Sequence, residues 1–256
     1  MPKRFNCKNE EEMRTDINNR LAILCALTGS HNYNLNTKNS DRDSKIFIMP
    51  NIDDIYNHKI FTKSYNIEFN NNDFSVYDIR RLPDLLCKSN CNFMEMLFTV
   101  DLSIHEMFTK EIEEIYNMKD EIARFNLSFL YTSLYNNARL FQDEYIKKGN
   151  MKSASHCLRL LRTLQKYALN DFTDFKKALW FENNPKDLIM YIKTGEYDEN
   201  RYSFSSINIP KLLSDEFRKA EKFESKYKQY DYVQETEDKL NKIVKDMVLK
   251  YIKSML

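Results

Sequence analysis

A short apolar segment, a glycine and a pair of closely spaced carboxylates constrain the fold of this chain more than any other feature of its sequence. Residues 21–28 are almost continuously apolar, as in a buried strand, and the run ends at Gly29-Ser30. A polar stretch rich in asparagine follows, and Asp41-x-Asp43 then opens a second run that closes at a proline. This order predicts two neighbouring strands joined by a loop that begins at a glycine.

The chemistry of these residues favours a site for metal and phosphate. Side chains at positions i and i+2 of a strand share a face, so Asp41 and Asp43 present two carboxylates side by side. Such a pair repels itself unless a cation lies between the charges, and oxygen ligands suit Mg²⁺. Gly29 lets the backbone approach a phosphate, and Ser30 offers it an N–H and a hydroxyl. Taken alone, either dipeptide would be an ordinary turn.

Further strands and then helices are predicted downstream. Segments 60–69 and 73–77 are predicted as a third and fourth strand, and three consecutive asparagines between them favour a turn. From about residue 82, apolar residues recur at helical spacings of three and four. We therefore predict an α/β (α+β) fold, with a small mixed β-sheet core over residues 1–100. A helical C-terminal domain over 101–256 is expected to pack on the active-site cleft.

Three amphipathic helices stand out in the helical part. Their apolar stripes run over residues 127–145, 154–168 and 240–251. Gly149 follows the first stripe at the position of a helix C-cap. The stretch 219–232, rich in Lys, Glu and Tyr, is predicted to be a connecting or solvated segment.

Composition narrows the class of protein. The formal net charge is only +1, so no overall electrostatic attraction to nucleic acid is expected. No stretch reaches the roughly 18 apolar residues of a membrane span, and the amino terminus lacks the apolar run of a signal peptide. Five scattered cysteines fit reduced thiols better than a disulfide framework. These features predict a cytoplasmic protein with no membrane partner.

The segment from Gly29 to Asp43 resembles the signature Gly-Ser-x-x-Tyr-Gly-Leu…Ser-Asp-x-Asp of the DNA polymerase β-type nucleotidyltransferase superfamily. The similar branch contains bacterial and phage enzymes, including RNA-ligase-associated ones. Two later blocks, 77–97 and 152–162, are also similar to that branch. Asn34 stands where the signature has its second glycine, and asparagine tolerates a left-handed backbone better than most residues.

The resemblance implies an enzyme that moves a nucleoside monophosphate from a nucleoside triphosphate to an acceptor hydroxyl and releases pyrophosphate. It implies that Gly29 and Ser30 hold the phosphates. It also implies that two Mg²⁺ ions, or Mn²⁺ in their place, bind Asp41, Asp43 and a third carboxylate on a neighbouring strand. Asp73 is our choice for that third carboxylate, because it opens the segment predicted as the fourth strand.

Other acidic residues near the predicted strands compete for this role. Glu68 is the second candidate for the third carboxylate, and Asp78 could instead cap a helix. Asn92 and Glu95 are spaced as an N-cap residue and its reciprocal glutamate, and we interpret both as capping residues.

A basic wall for the nucleotide is predicted on a downstream helix. Lys152, His156 and Arg159 are spaced i, i+4 and i+7 and therefore share one helix face. The resemblance favours a wall that faces the phosphates, against a solvated face with one packed histidine. Arg80 is a further candidate for nucleotide binding, and Tyr33 is expected either to stack on a base or to support the loop.

Three functions remain in view from the sequence. The favoured one is nucleotidyl transfer to RNA or tRNA. The alternatives are nucleotidylation of a protein hydroxyl, as by a toxin or phage effector, and nucleotide binding without catalysis. Tracking an RNA backbone requires a basic stripe, and the sequence shows no clear one. The nearest candidate is a set of lysines on the last helix, which is better explained as an ordinary solvated face: Lys242, Lys245, Lys250 and Lys253.

Overall fold

The computed structural model describes residues 20–67, 72–195 and 207–255. The strands are β1 (Ala22–Thr28), β2 (Arg42–Ile48), β3 (Thr62–Ile67), β4 (Asn72–Asp78) and β5 (Leu102–Ile104). The helices are α1 (Ile52–Tyr56), α2 (Leu82–Cys87), α3 (Cys91–Met94), α4 (Thr109–Asn117), α5 (Lys119–Arg124), α6 (Leu127–Lys148), α7 (Met151–Leu169), α8 (Phe175–Leu179), α9 (Asn183–Thr194), α10 (Ile209–Glu221), α11 (Glu224–Lys228) and α12 (Gln234–Met255). Short 3-10 turns occupy Gly29–Tyr33, Ile79–Arg81, Glu95–Phe98 and Glu106–Phe108.

The strands form one mixed sheet in the order β3-β4-β2-β1-β5. β2 runs parallel to β4, while β1 pairs antiparallel with β2 and β5, and β3 pairs antiparallel with β4. The parallel register begins at Arg42↔Asn72, so β2 and β4 start at the same edge of the sheet. The four predicted strands and the predicted fold class are confirmed.

Two elements of this part were not predicted. β5 is only three residues long and pairs with β1 at the sheet edge, and α1 has only five residues. Segments this short carry no readable periodicity. The predicted boundary at residue 100 falls just before β5, so part of the sheet comes from the region predicted to be helical.

The two faces of the sheet carry different side chains. Phe47 belongs to the main apolar core, which the sheet shares with the helices, whereas Ile46 and Ile48 lie in a separate cluster on the opposite face. Because side chains alternate along a strand, Asp43 and Lys45 point to the same face as Phe47. The charged end of β2 therefore faces the helical part of the molecule.

The longest helices match their predicted stripes, which confirms them. Leu130, Leu134 and Ala138 of α6 are fully buried. Gly149 ends α6 with φ of 65°, and its N–H donates to the Tyr145 carbonyl oxygen at 2.8 Å. This left-handed C-cap was expected from the glycine's position.

The prediction for residues 219–232 was wrong. The segment contains the end of α10 and all of α11. Tyr227 is fully buried, and its hydroxyl donates to the Leu164 carbonyl oxygen at 2.8 Å. The burial of this tyrosine could not be predicted, because the residues around it are charged. A single apolar residue in a helix turn does not produce a detectable hydrophobic pattern.

The main apolar core of the described ranges extends from the sheet through α6, α7 and α10 to α12. The cleft discussed below lies where the charged edge of the sheet meets α7 and α9. None of the helices that the structure describes is long and apolar enough to cross a membrane.

Candidate active site

The turn after β1 is built around Gly29. Its φ is +73°, a left-handed conformation that side chains rarely tolerate. A Cβ atom added here would lie 2.2 Å from the Asp43 carboxylate oxygen Oδ2. Thr28 also pairs with Asp43 in the β1–β2 register. Glycine is therefore required at this position, both for the turn and to leave room for the Asp43 carboxylate.

The loop beyond this turn is anchored on the segment between α8 and α9. Asn34 adopts φ of 61°, so it does replace a glycine in the left-handed region. Its side chain donates to the Phe181 carbonyl oxygen at 2.8 Å and accepts from the Lys186 ammonium at 2.8 Å. The Phe181 N–H donates in turn to the Tyr33 carbonyl oxygen at 3.1 Å. These bonds fix the loop on the helical part of the chain.

Three carboxylates gather at the starting edge of β2 and β4. Asp43 and Asp73 are direct partners in the parallel register, so their side chains point to the same face. Asp41 precedes Asp43 by two residues. Burial raises the pKa of Asp43, and the negative charges of Asp73 and Asp41 raise it further. The pKa of Asp73 is raised by burial and by Asp41. The structure thus brings the two paired aspartates and the first-choice third carboxylate together.

This cluster offers the right ligands for a divalent cation without forming a closed cage. No group of three His, Cys, Asp or Glu side chains in the described ranges meets around one point. The carboxylates nevertheless supply hard oxygen ligands, and a cation would relieve the repulsion among them. The donor set therefore fits Mg²⁺ or Mn²⁺ held by these aspartates together with water and substrate phosphate.

A cleft of about 410 Å³ opens beside the cluster, a size suited to a small-molecule ligand. Gly29, Ser30, Asp41 and Asp43 line one side, and residues of α7 and α9 line the other. The predicted basic helix face is part of that second wall, which contains Lys152, His156, Arg159 and Lys193. Apolar contacts come from Leu35, Phe141 and Ile189.

The members of the predicted basic wall differ in their environments. Lys152 is exposed, and its charge acts on both Asp43 and Asp73. His156 packs edge-on against the Phe141 ring, with ring centroids 4.9 Å apart. Burial and the charge of Arg159 lower the pKa of His156 to about 3. His156 is therefore neutral at physiological pH and supplies a hydrogen-bonding edge instead of positive charge.

Arg159 is buried at the base of the cleft and lies 4.0 Å from the centre of the Tyr33 ring. Tyr33 is itself only 5% exposed. Tyr33 lines the cleft, but the Arg159 guanidinium covers one face of its ring. This placement favours the second expectation, that the ring supports the loop.

The sequence did not predict the roles of Lys45 and Glu95. Glu95 is buried, and it is not the reciprocal glutamate of a cap, since Asn90 caps α3. Its Oε1 lies 3.8 Å from the Lys45 ammonium. Burial raises the pKa of Glu95 to about 7, and Arg159 opposes that change. Lys45 could have been predicted as a site residue, because it follows Asp43 by two positions on the same strand. No local pattern in the sequence indicates that Glu95 lies at the site.

Arg80 lies away from the cleft, contrary to its prediction as a nucleotide-binding residue. Its guanidinium pairs with Asp78, with Nε 2.9 Å from Oδ1. Asp78 is fully buried and accepts the Arg80 backbone N–H at 2.9 Å, so it caps the turn after β4. It lies five residues beyond Asp73, about 16 Å along the strand. Asp78 is therefore not the third carboxylate, and Glu68 lies outside the described residues.

This placement predicts that Arg80→Ala affects stability instead of nucleotide binding. Loss of the guanidinium leaves Asp78 buried without its counter-charge, which should cost about 3 kcal/mol of unfolding free energy. Arg81→Ala is the matched control, because Arg81 bonds only the Thr62 hydroxyl at 2.8 Å among the described contacts. Chemical denaturation and nucleotide titration of both variants measure the two effects. Weakened nucleotide binding in a stably folded Arg80→Ala protein would contradict the assignment.

A second cleft of about 280 Å³ adjoins the first. Asp73, Lys45, Tyr77 and Phe93 contribute to its lining. Asp43 and Gly29 line both clefts. The Asp43 carboxylate therefore borders two adjoining clefts.

A family model described as the RNA repair pathway DNA polymerase beta family matches residues 8–173. No curated protein and no solved structure matches the chain. The family match covers well over half of the chain, runs through β1–β5 to the end of α7, and confirms the resemblance based on the Gly-Ser and Asp-x-Asp segments.

Proposed function

Because the chain belongs to the RNA repair pathway DNA polymerase beta family, we propose that it transfers a nucleoside monophosphate from a nucleoside triphosphate to a hydroxyl of RNA. The observation that carries this proposal is the position of Asp43. Its carboxylate contacts the Gly29 turn, lies in register with Asp73 and borders both clefts. A transfer reaction needs this arrangement, with a donor on one side and an acceptor on the other.

The larger cleft is proposed to bind the triphosphate. Ser30 and the Gly29 turn hold phosphate oxygens, and Lys152 and Lys193 offset their charge from the opposite wall. The base would lie against Phe141 and the apolar residues beside it. Neutral His156 can then donate one hydrogen bond and accept another at the base or sugar.

The smaller cleft is proposed to admit the acceptor. In-line attack requires the acceptor hydroxyl to approach the α-phosphorus from the side opposite the leaving pyrophosphate. Asp73 borders this cleft, and its raised pKa suits it to take the hydroxyl proton as the new P–O bond forms. Mg²⁺, held by Asp41, Asp43 and Asp73, would supply charge stabilisation at the attacking and leaving oxygens.

The proposal is tested by supplying each α-labelled nucleoside triphosphate with Mg²⁺, total RNA and a protein extract. We expect label in a product that ribonuclease digests and protease does not. Loss of that label in the Asp41→Ala/Asp43→Ala protein would tie it to this site. Protease-sensitive label would instead identify protein nucleotidylation. Absence of label from both fractions would leave only nucleotide binding.

A further inference from the structure

Glu95 and Lys45 lie within ion-pair distance of each other, beside the proposed cation site. Lys45 follows Asp43 by two residues on β2, so its side chain points to the same face as the carboxylate. Its ammonium lies 3.4 Å from the Thr28 hydroxyl and 3.8 Å from Glu95 Oε1, and more than 4 Å from the Asp43 carboxylate oxygens. At that distance its charge still lowers the pKa of Asp43. Among the acidic groups that the structure describes, only the Glu95 carboxylate comes within 4 Å of this ammonium.

Glu95 is held firmly in this position. The Asn32 side chain donates to the Glu95 carbonyl oxygen at 3.3 Å and to the Leu27 carbonyl oxygen at 2.9 Å. This bond ties the residue to the turn that carries Gly29. The Glu95 side chain is only 5% exposed, and its buried Oε2 has no hydrogen-bond partner in the described part of the chain. A buried carboxylate of this kind is costly unless nearby cations offset its charge.

The electrostatic consequence concerns Asp43. An ammonium on a flexible four-carbon stem can reach any nearby carboxylate, and an ammonium paired with Asp43 would compete with a divalent cation for its oxygens. We propose that Glu95 is a positioning residue that draws the Lys45 ammonium away from Asp43 and so keeps that carboxylate free to bind the metal. The inference rests on the proposed function, because it assumes that Asp43 is a metal ligand.

Mn²⁺ binding to the nucleotide-free protein, measured by electron paramagnetic resonance, tests this role without any turnover. In Glu95→Gln the side chain keeps its shape but loses its charge, and Lys45 is then expected to turn to Asp43. The Mn²⁺ dissociation constant should rise by roughly tenfold. In Glu95→Gln/Lys45→Met the competing ammonium is gone, and the affinity should return to within about twofold of the wild-type value.

Glu216→Gln is the matched control for buried charge. Glu216 is 3% exposed on α10 and pairs with Arg162 at 3.7 Å and Lys219 at 2.9 Å, away from both clefts. It should lower stability without changing Mn²⁺ affinity. If Glu95→Gln does not fold, Glu95→Asp withdraws the carboxylate by one methylene and should weaken Mn²⁺ binding to a smaller extent.

The outcomes separate this inference from the proposed function. Unchanged Mn²⁺ affinity in the Glu95 variants, or no recovery on removal of Lys45, would overturn the role of Glu95 alone. Wild-type protein whose Mn²⁺ binding is absent, or equal to that of Asp43→Asn, would overturn the metal site and the inference together.

Discussion

Asp43→Asn should reduce kcat/KM for nucleotidyl transfer by at least roughly a thousandfold, about 4 kcal/mol of transition-state stabilisation. The carboxylate borders both clefts and lies in register with Asp73, where the proposed function needs its charge to hold the cation. Asparagine keeps the shape of the side chain, so its packing against Gly29 is preserved.

The same change should not destabilise the metal-free protein. The raised pKa of Asp43 shows that the folded state disfavours its charged form, through burial and repulsion by Asp73. Above the raised pKa the charged carboxylate therefore opposes folding, and its neutral replacement removes that penalty. We expect thermal unfolding at neutral pH to occur at an unchanged or higher temperature. Asp53→Asn, on the exposed face of α1, is a control that should change neither activity nor stability.

Gly29→Ala should have the second largest effect, lowering kcat/KM by roughly a hundredfold or more. The new methyl group would overlap the Asp43 carboxylate at 2.2 Å, so either the turn or the metal ligand must move. The left-handed backbone adds a separate stability cost of about 1–2 kcal/mol.

Gly149→Ala separates these two causes. Gly149 has φ of +65°, close to that of Gly29, but a Cβ atom there meets nothing within 4 Å. It should therefore lose a similar amount of stability from backbone strain and keep full activity. Steady-state kinetics and chemical denaturation on both variants provide the comparison. Equal activity losses in the two proteins would show that strain, and not the contact with Asp43, explains the effect.

The site residues whose positions follow from short-range sequence patterns could be predicted from the sequence. Gly29-Ser30 and Asp41-x-Asp43 are close in the chain, and alternation along a strand fixes which side chains share a face. Asp73 could be chosen because it opens a strand, although its exact partner, Asp43, depends on the parallel register of β2 and β4. Helix periodicity likewise placed the face of α7 that lines the cleft.

The parts that depend on distant contacts could not be predicted. Glu95 looks like a capping residue in sequence, and only the packing of its turn beneath Gly29 shows that it is buried beside Lys45. Arg80 looks like a phosphate ligand in sequence, yet its guanidinium forms an ion pair with the buried carboxylate of Asp78, two residues earlier. Lys193 enters the cleft from α9, and nothing in its neighbourhood distinguishes it from other surface lysines. In each case the deciding partner is set by tertiary packing.

The fate of the label from α- and γ-labelled nucleoside triphosphate tests the central claim most directly. The account predicts that wild-type protein with Mg²⁺ attaches α-label to the acceptor and releases γ-label as pyrophosphate, in equal amounts. It predicts that Asp43→Asn does neither. Transfer of γ-label to the acceptor, or equal α-label attachment by wild type and Asp43→Asn, would contradict nucleotidyl transfer at this site.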